Sequence, residues 1–202
     1  MPKDKLNAVL SDLADKGWSV IPDYLEPATV AELRAECLER DGSHLFHRAG
    51  VGRGQAEQIS ELRRDAILWL EPDDPQPAVQ RYFEVTELLR THVNREFFLG
   101  LNELEAHFAI YPAGAFYKKH LDRFREDDRR ALTAIIYLND DDWTDADGGQ
   151  LRFWSDPSGD GEYMDIQPAG GTLVTFLSEL YWHEVLPAKR QRLALTGWFK
   201  RR

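Results

Sequence analysis

A histidine and an aspartate stand two residues apart in the stretch YKKHLDRF, which covers residues 117–124. If this stretch is a β-strand, His120 and Asp122 project from one face, because side chains alternate along a strand. An imidazole nitrogen and a carboxylate oxygen on one face can hold a divalent metal ion from one side. A third ligand must then come from elsewhere in the chain. The candidate is His183 in the stretch LYWHEV, 63 positions after His120.

The chemistry of such a metal site depends on what else is near it. Two histidines and one carboxylate leave the opposite coordination positions open, which suits a non-haem Fe(II) ion that must bind a cosubstrate and oxygen. Zinc-dependent hydrolysis with the same three ligands is the rival interpretation. Arg192, nine residues after His183, favours the oxygenase. An oxygenase that uses 2-oxoglutarate needs a cationic partner for the far carboxylate, and the guanidinium fork matches a carboxylate.

The elements that must position these residues fall into two groups. Helical spacing of apolar residues predicts helices over residues 5–16, 27–40 and 77–95. Alternation with period two then predicts eight strands, at 103–111, 116–123, 131–138, 149–154, 162–166, 172–177, 181–186 and 192–199. Strands that follow helices in this way imply an antiparallel barrel or sandwich with the helices packed on one face. Jelly rolls are built like this, and their open mouth is a common ligand site.

Shorter features lie between the helices. The stretches WSVIPDYL (18–25) and RRDAILWL (63–70) are each interpreted as containing a strand. Residues 41–60 include four glycines and predict a mobile loop or loose hairpin. The acidic run NDDDWTDADGG (139–149) is most simply a solvated turn, and a calcium loop is a weak alternative because the distal Glu of an EF-hand is missing.

Composition limits the function classes. With 202 residues, 43% of them hydrophobic, the chain can bury one core. We therefore expect a single domain over 1–202, with helical support in about 1–100 and the jelly-roll core in about 101–202. A net charge of −10 argues against nucleic-acid and membrane-surface partners, which are themselves anionic.

The cellular location is predicted from what the sequence contains. One cysteine, Cys37, permits no internal disulfide, which fits a reducing compartment. No signal-peptide pattern and no run of about 18 apolar residues occurs. These features predict a cytoplasmic protein, which we expect to be a monomer.

Several motifs resemble those of known enzymes. HLD at 120–122, HEV at 183–185 and RLALTGW at 192–198 resemble the Fe(II)/2-oxoglutarate-dependent dioxygenases. More narrowly, the chain resembles prolyl hydroxylases of the hypoxia-sensing type and their bacterial relatives over roughly residues 60–200. That narrower resemblance rests on YPAGAFYKKHLDRF (111–124), IIYLND (135–140), GGQLRF (148–153) and HEVLPAKRQRLALTGWF (183–199).

The resemblance implies a fold and a role for each site residue. The fold is α+β, a double-stranded β-helix (a cupin-like jelly roll) with supporting N-terminal helices. His120, Asp122 and His183 would ligate iron. Arg192 would pair with the C5 carboxylate of 2-oxoglutarate, and Tyr137 would donate a hydrogen bond to the same group. The other implied pocket residues are Tyr111, Thr196, Leu151 and Ile135, with Trp198 beside the metal. The resemblance also suggests a structural ion pair between Asp65 and Arg130.

The resemblance also implies an activity. Fe(II) would act with 2-oxoglutarate and O2 as cosubstrates, and with ascorbate as a reductant. The substrate would be a prolyl residue of a protein, such as a translation elongation factor, and the products 4-hydroxyproline, succinate and CO2. The stretch 43–60 would fold over the peptide. Two alternatives stay open: a dioxygenase of the same fold that hydroxylates a free amino acid or small metabolite, and a non-catalytic, metal-binding cupin-like module.

Overall fold

The computed structural model describes residues 3–49, 61–123 and 129–202. Its three α-helices are α1 (Lys3–Lys16), α2 (Pro27–Gly42) and α3 (Pro77–Phe97). Both α2 and α3 begin with proline, whose fixed φ suits the first helical turn and whose missing N–H has no helical partner there. The three predicted helices are therefore confirmed, with α2 and α3 each ending two residues later than expected.

The described strands also follow the predicted order. They are β1 (Trp18–Ile21), β2 (His47–Arg48), β3 (Ala66–Leu70), β4 (Leu101–Tyr111), β5 (Tyr117–His120), β6 (Arg130–Tyr137), β7 (Leu151–Trp154), β8 (Tyr163–Ile166), β9 (Leu173–Leu177), β10 (His183–Val185) and β11 (Arg192–Arg201). All eight strands predicted after the helices are present. The strand predicted at 116–123 is shorter, because β5 ends at His120.

The strands form two antiparallel sheets that face each other. The larger has the order β1-β9-β6-β11-β4-β3-β2, and the smaller has the order β5-β10-β7-β8. This arrangement confirms the predicted jelly-roll core. Strands β1, β2 and β3, which precede residue 101, extend the larger sheet at its two edges.

Two apolar layers lie on the two sides of the larger sheet. The helices pack on one side through residues such as Val9, Leu33 and Val79. The second layer fills the space between the sheets and includes Phe153 and Phe176. The predicted site residues come together at the end of this second layer that opens to solvent.

The segment predicted as a loop or hairpin is described only in part. Helix α2 continues to Gly42, and His47 and Arg48 of β2 pair with Ile67 and Ala66 of β3, as a hairpin would. Residues 50–60, on which the predicted substrate-covering loop depends, lie outside the described residues. No helix among the described residues is long and apolar enough to cross a membrane.

Candidate metal centre and cosubstrate pocket

Three potential metal ligands converge at the open end of the two sheets. His120 at the end of β5 is the direct cross-strand partner of His183 at the start of β10. Asp122 lies just beyond β5, and its carboxylate oxygens are 3.6 Å from the Nε2 atom of each histidine. One ligand atom from each of the three residues lies within 4.8 Å of the other two. The structure thus brings together the residues that the sequence pattern singled out.

The way in which Asp122 is positioned differs from the prediction. Strand alternation was expected to align Asp122 with His120, but the strand ends at His120. Asp122 is instead positioned by Thr133 on β6, whose hydroxyl donates a 2.8 Å hydrogen bond to Oδ2. Asp122 is only 6% exposed, so its carboxylate is held inside the protein between the sheets.

Backbone carbonyls set the tautomer of both histidines. The Nδ1 atom of His120 lies 2.7 Å from the carbonyl oxygen of Lys118, and Nδ1 of His183 lies 3.1 Å from that of Tyr181. A carbonyl oxygen only accepts, so Nδ1 carries the hydrogen in each ring. In a neutral imidazole this leaves the Nε2 lone pair free and directed toward Asp122, as a metal ligand requires.

The ionisation states also suit a metal ion. Burial, and secondarily the proximity of His120, lowers the pKa of His183 to about 4, although Asp122 opposes this shift. Burial alone would raise the pKa of Asp122, but the adjacent His183, His120 and Arg130 hold it well below its usual range. Near neutral pH the cluster therefore presents a neutral His183 and a buried carboxylate, a donor set that fits Fe(II).

A cavity with about 440 Å³ of empty space, part of it open to solvent, contains the three candidate ligands. Its wall includes most of the predicted pocket residues: Tyr111, Ile135, Leu151, Arg192, Thr196 and Trp198. The remaining one, Tyr137, lies beside the wall, with its ring centroid 5.0 Å from the guanidinium carbon of Arg192.

Arg192 is the most unusual member of this wall. It is 2% exposed, and its Nε donates a 2.8 Å hydrogen bond to the carbonyl of Gly149. Within the described part of the chain, no Asp or Glu forms an ion pair with it. A buried guanidinium without an anion is costly, so this end of the cavity favours an anionic ligand. Burial raises the pKa of Tyr137 to about 12, which keeps its hydroxyl protonated as a second donor.

Sequence reasoning missed other residues of the cavity. His107 and Tyr117 line it, although neither was assigned a site role. The Tyr117 ring stacks on His120 with centroids 3.5 Å apart and an interplanar angle of 13°. Alternation on β4 could have placed His107 on the same face as Tyr111, four residues later. The Tyr117–His120 contact depends on an irregular register in β5, which alternation does not reveal.

Arg63 also lines the cavity, and its partner corrects an earlier expectation. The resemblance suggested an ion pair between Asp65 and Arg130. Asp65 instead accepts hydrogen bonds from Arg63, two residues earlier, with Nε at 2.7 Å. Arg130 lies 3.3 Å from Glu105 and stacks over Trp198, where its Cζ is 3.6 Å from the ring centroid.

The acidic run at 139–149 forms a capped turn. The short 3-10 helix Asp145–Asp147 is capped by Thr144, and Arg190 pairs with Asp142 and Asp147. Among the described residues, the His120, Asp122 and His183 group is the one cluster of candidate metal ligands found. The calcium alternative therefore gains no support.

Comparison with known proteins agrees with this geometry. The sequence model of the 2OG-Fe(II) oxygenase superfamily matches residues 106–200. A crystal structure of a prolyl-4-hydroxylase from Pseudomonas putida is 45% identical, covers 98% of this chain and 99% of its own, and superposes with a TM-score of 0.87. The chain belongs to the 2OG-Fe(II) oxygenase superfamily. Members of this superfamily use Fe(II), 2-oxoglutarate and O2.

Two other members are similar over nearly the whole chain. A prolyl hydroxylase from Trichoplax adhaerens, in complex with a peptide fragment of the oxygen degradation domain of hypoxia inducible factor, is 27% identical. It covers 96% of this chain and 88% of its own, with a TM-score of 0.85. Human Egl nine homolog 1 is 29% identical over 91% of this chain. The present 2OG-Fe(II) oxygenase spans 43% of the length of that human relative.

Proposed function

We propose that this protein is an Fe(II)- and 2-oxoglutarate-dependent prolyl hydroxylase that acts on a prolyl residue of a protein. The observation that carries the proposal is the position of Arg192, a buried guanidinium without a carboxylate partner in the described chain, in the same cavity as the His120, Asp122 and His183 cluster. A metal site with a separate anchor for a carboxylate suits a cosubstrate that chelates a metal at one end and carries an anion at the other.

The residues would divide the work as follows. His120, Asp122 and His183 would hold Fe(II), and Arg192 and Tyr137 would hold the far carboxylate of 2-oxoglutarate. Bound Fe(II) and 2-oxoglutarate supply the activation of O2, with one oxygen atom entering a C–H bond of the substrate and the other entering succinate as CO2 is released. The protein's own contribution is orientation and the exclusion of water.

The wall of the cavity supports that contribution. Ile135 and Leu151 are buried apolar residues, and Tyr111 lies opposite Arg192 in the β4–β11 ladder. Together these three side chains would leave little space for water beside the bound cosubstrate. Thr196 pairs with Ile135 across β11 and β6, and Trp198 follows it on the same face, so both would lie on the metal side of the pocket.

The assignment of a protein substrate rests on similarity and on access. The Pseudomonas putida relative is described as a prolyl-4-hydroxylase, and the Trichoplax adhaerens relative was solved with a peptide. The cavity of the present protein is partly open to solvent. One residue of an extended peptide could therefore enter it while the rest of the peptide stays outside. We further propose that residues 1–202 act as one catalytic domain.

The decisive experiment supplies the purified protein with Fe(II), 2-oxoglutarate and a proteome depleted of small molecules. Succinate formation reports turnover, and mass spectrometry locates any proline that has gained one oxygen atom. Asp122→Ala serves as the control without the anionic metal ligand. Oxygen gain on free amino acids alone would support the metabolite alternative. A complete lack of succinate, including uncoupled turnover, would support the non-catalytic alternative.

A further inference from the structure

The edge strand β5 carries one candidate metal ligand on a short ladder. Within the smaller sheet, β5 pairs with β10, through His120 with His183 and Tyr117 with Val185, and the register shifts between these two pairs. On the other side of β5 an isolated bridge joins Tyr117 to Arg63, and the Lys118 N–H donates a 2.8 Å hydrogen bond to the Leu62 carbonyl. Because the described backbone contacts on that side end at Lys118, the His120 end of the strand can shift or fray. Because His120 is its last residue, such movement would displace a ligand nitrogen.

Lys119 connects this edge strand to elements beyond its neighbour. Its ammonium lies 4.0 Å from the ring centroid of Trp154 on β7 and 5.7 Å from that of Trp182, which directly precedes β10. It also donates a hydrogen bond to the carbonyl of Gly159. In the strand order β5-β10-β7, the lysine therefore reaches across β10 to the strand beyond it.

The receiving site is shaped for a cation. Gly159 has a φ of +74°, and a Cβ atom at this position would overlap the ring of Trp182. The glycine thus lets the loop carbonyl approach the ammonium while the loop packs against the indole. Trp154 and Trp182 are also joined directly, because the backbone N–H of Trp154 donates a 3.0 Å hydrogen bond to the backbone carbonyl of Trp182. Two aromatic faces and one carbonyl oxygen together satisfy a lysine ammonium.

Adjacent residues of a strand point to opposite faces. His120 faces the inner side with its cross-strand partner His183, so the outer contacts of Lys119 restrain the backbone that carries His120. We propose that Lys119 is a positioning residue for the metal site: it anchors β5 through Trp154, Trp182 and Gly159 and thereby holds His120 in place. The inference rests on the proposed function, because it concerns the same iron site.

The neighbouring Lys118 provides a matched control. It lies on the same strand, carries the same charge and is exposed, as Lys119 is. Within the described residues, the Lys118 side chain forms no hydrogen bond, ion pair or cation–π contact. Replacing either lysine by methionine removes one positive charge and keeps the length of the stem. A difference between the two variants therefore isolates the anchoring contacts from the change in local potential.

The test is a titration of the metal-free protein with Mn(II), which binds such sites without redox chemistry, followed by calorimetry. We expect Lys119→Met to raise the Mn(II) dissociation constant about tenfold, because residues that orient a metal ligand contribute to metal affinity. Lys119→Arg should restore most of the affinity, because a guanidinium also stacks on indole. Lys118→Met should bind as the wild type does.

Hydrogen exchange of the metal-free proteins gives a second readout. Amides of β5 should exchange faster in Lys119→Met than in Lys118→Met, while those of α3 and β4 stay unchanged, which would show that the variant is folded. Equal affinity and exchange in the two methionine variants would overturn the inference. If the wild-type protein itself fails to bind Mn(II), the proposed iron site is wrong and the positioning role falls with it.

Discussion

The hydroxyl of Thr133 donates a hydrogen bond of 2.8 Å to the carboxylate of Asp122. The same hydroxyl lies 2.8 Å from the hydroxyl of Ser178. A hydroxyl has one hydrogen to donate, so Ser178 must donate to Thr133. The resulting chain runs from Ser178 through Thr133 to Asp122 and connects the end of β9 to the candidate metal site. It fixes Oδ2, which faces His183, and thereby orients Oδ1 toward His120.

Loss of this support should weaken metal binding. In Thr133→Val the carboxylate of Asp122 loses its buried donor, and we expect the Mn(II) dissociation constant to rise by about one order of magnitude. Thr86→Val is a suitable control, because Thr86 is also buried and its hydroxyl donates only to helix carbonyls of α3. Similar affinities in the two variants, measured by calorimetry, would contradict an orienting role for Thr133.

Removal of the guanidinium should separate the cosubstrate from the metal. We expect Arg192→Ala to raise the concentration of 2-oxoglutarate needed for half-maximal succinate formation by roughly 100-fold, since truncating one member of a buried charge pair costs about 3 kcal/mol. Mn(II) affinity should remain within about twofold of the wild type, because Arg192 contacts none of the three candidate ligands. Asp122→Ala should show the opposite pattern, with metal binding lost. If Arg192→Ala loses both properties equally, Arg192 has a structural role.

Gly149 should be needed for the placement of Arg192. Its φ is +73°, and a Cβ there would lie 2.9 Å from the Cβ of Ala188 and 3.1 Å from the Cδ of Arg192. We expect Gly149→Ala to lower the melting temperature and to raise the requirement for 2-oxoglutarate, because the methyl group pushes on the anchor of the far carboxylate. Gly161→Ala separates strain from crowding: its φ is +86°, but open space surrounds the added atom. It should cost about 1 kcal/mol of stability and leave the requirement for 2-oxoglutarate unchanged.

His107 should make the metal-free protein sensitive to mild acid. Burial, and the nearby guanidinium groups of Arg63 and Arg130, hold the pKa of His107 well below its ordinary value of about 6.5. The unfolded chain therefore binds a proton below pH 6.5 that the folded protein does not, so stability falls as pH decreases below that value. Each pH unit between the two pKa values costs about 1.4 kcal/mol.

The variant His107→Met should remove this part of the acid dependence. Denaturant unfolding of both metal-free proteins between pH 7 and pH 5 measures the two slopes, and the variant should have the shallower one. His183, whose pKa is lowered to about 4, leaves a residual slope in both proteins. Equal slopes in the two proteins would mean that the pKa of His107 is the same in the folded and unfolded states.

Much of the fold could be read from local patterns. The apolar spacing of α1 and the alternation in β4 and β11 depend on residues close in sequence, and the structure has these elements where they were predicted. The chemistry of the site also followed from residue types. Two histidines and one aspartate in this order predict a metal site, and Arg192 after them predicts an anchor for a carboxylate.

Those local patterns did not predict the contacts between residues that are distant in sequence. Asp122 lies past the end of its strand and is oriented by Thr133, eleven residues later, across the space between the sheets. Lys119 reaches Trp154, 35 residues later, over an intervening strand. Each of these depends on where strands end and which side chains meet across sheets. Periodicity along one strand contains no information on that register.

The sequence by itself thus determined the order of the elements, and it predicted the candidate ligands and an anionic cosubstrate. Only the tertiary structure decided how those residues are held: the tautomers of His120 and His183, the burial of Arg192 without a carboxylate partner among the described residues, and the contacts of Lys119 on β5. The physical reason is that residue chemistry and alternation are local properties. Burial, hydrogen-bond partners and pKa values arise only when distant strands are brought into contact.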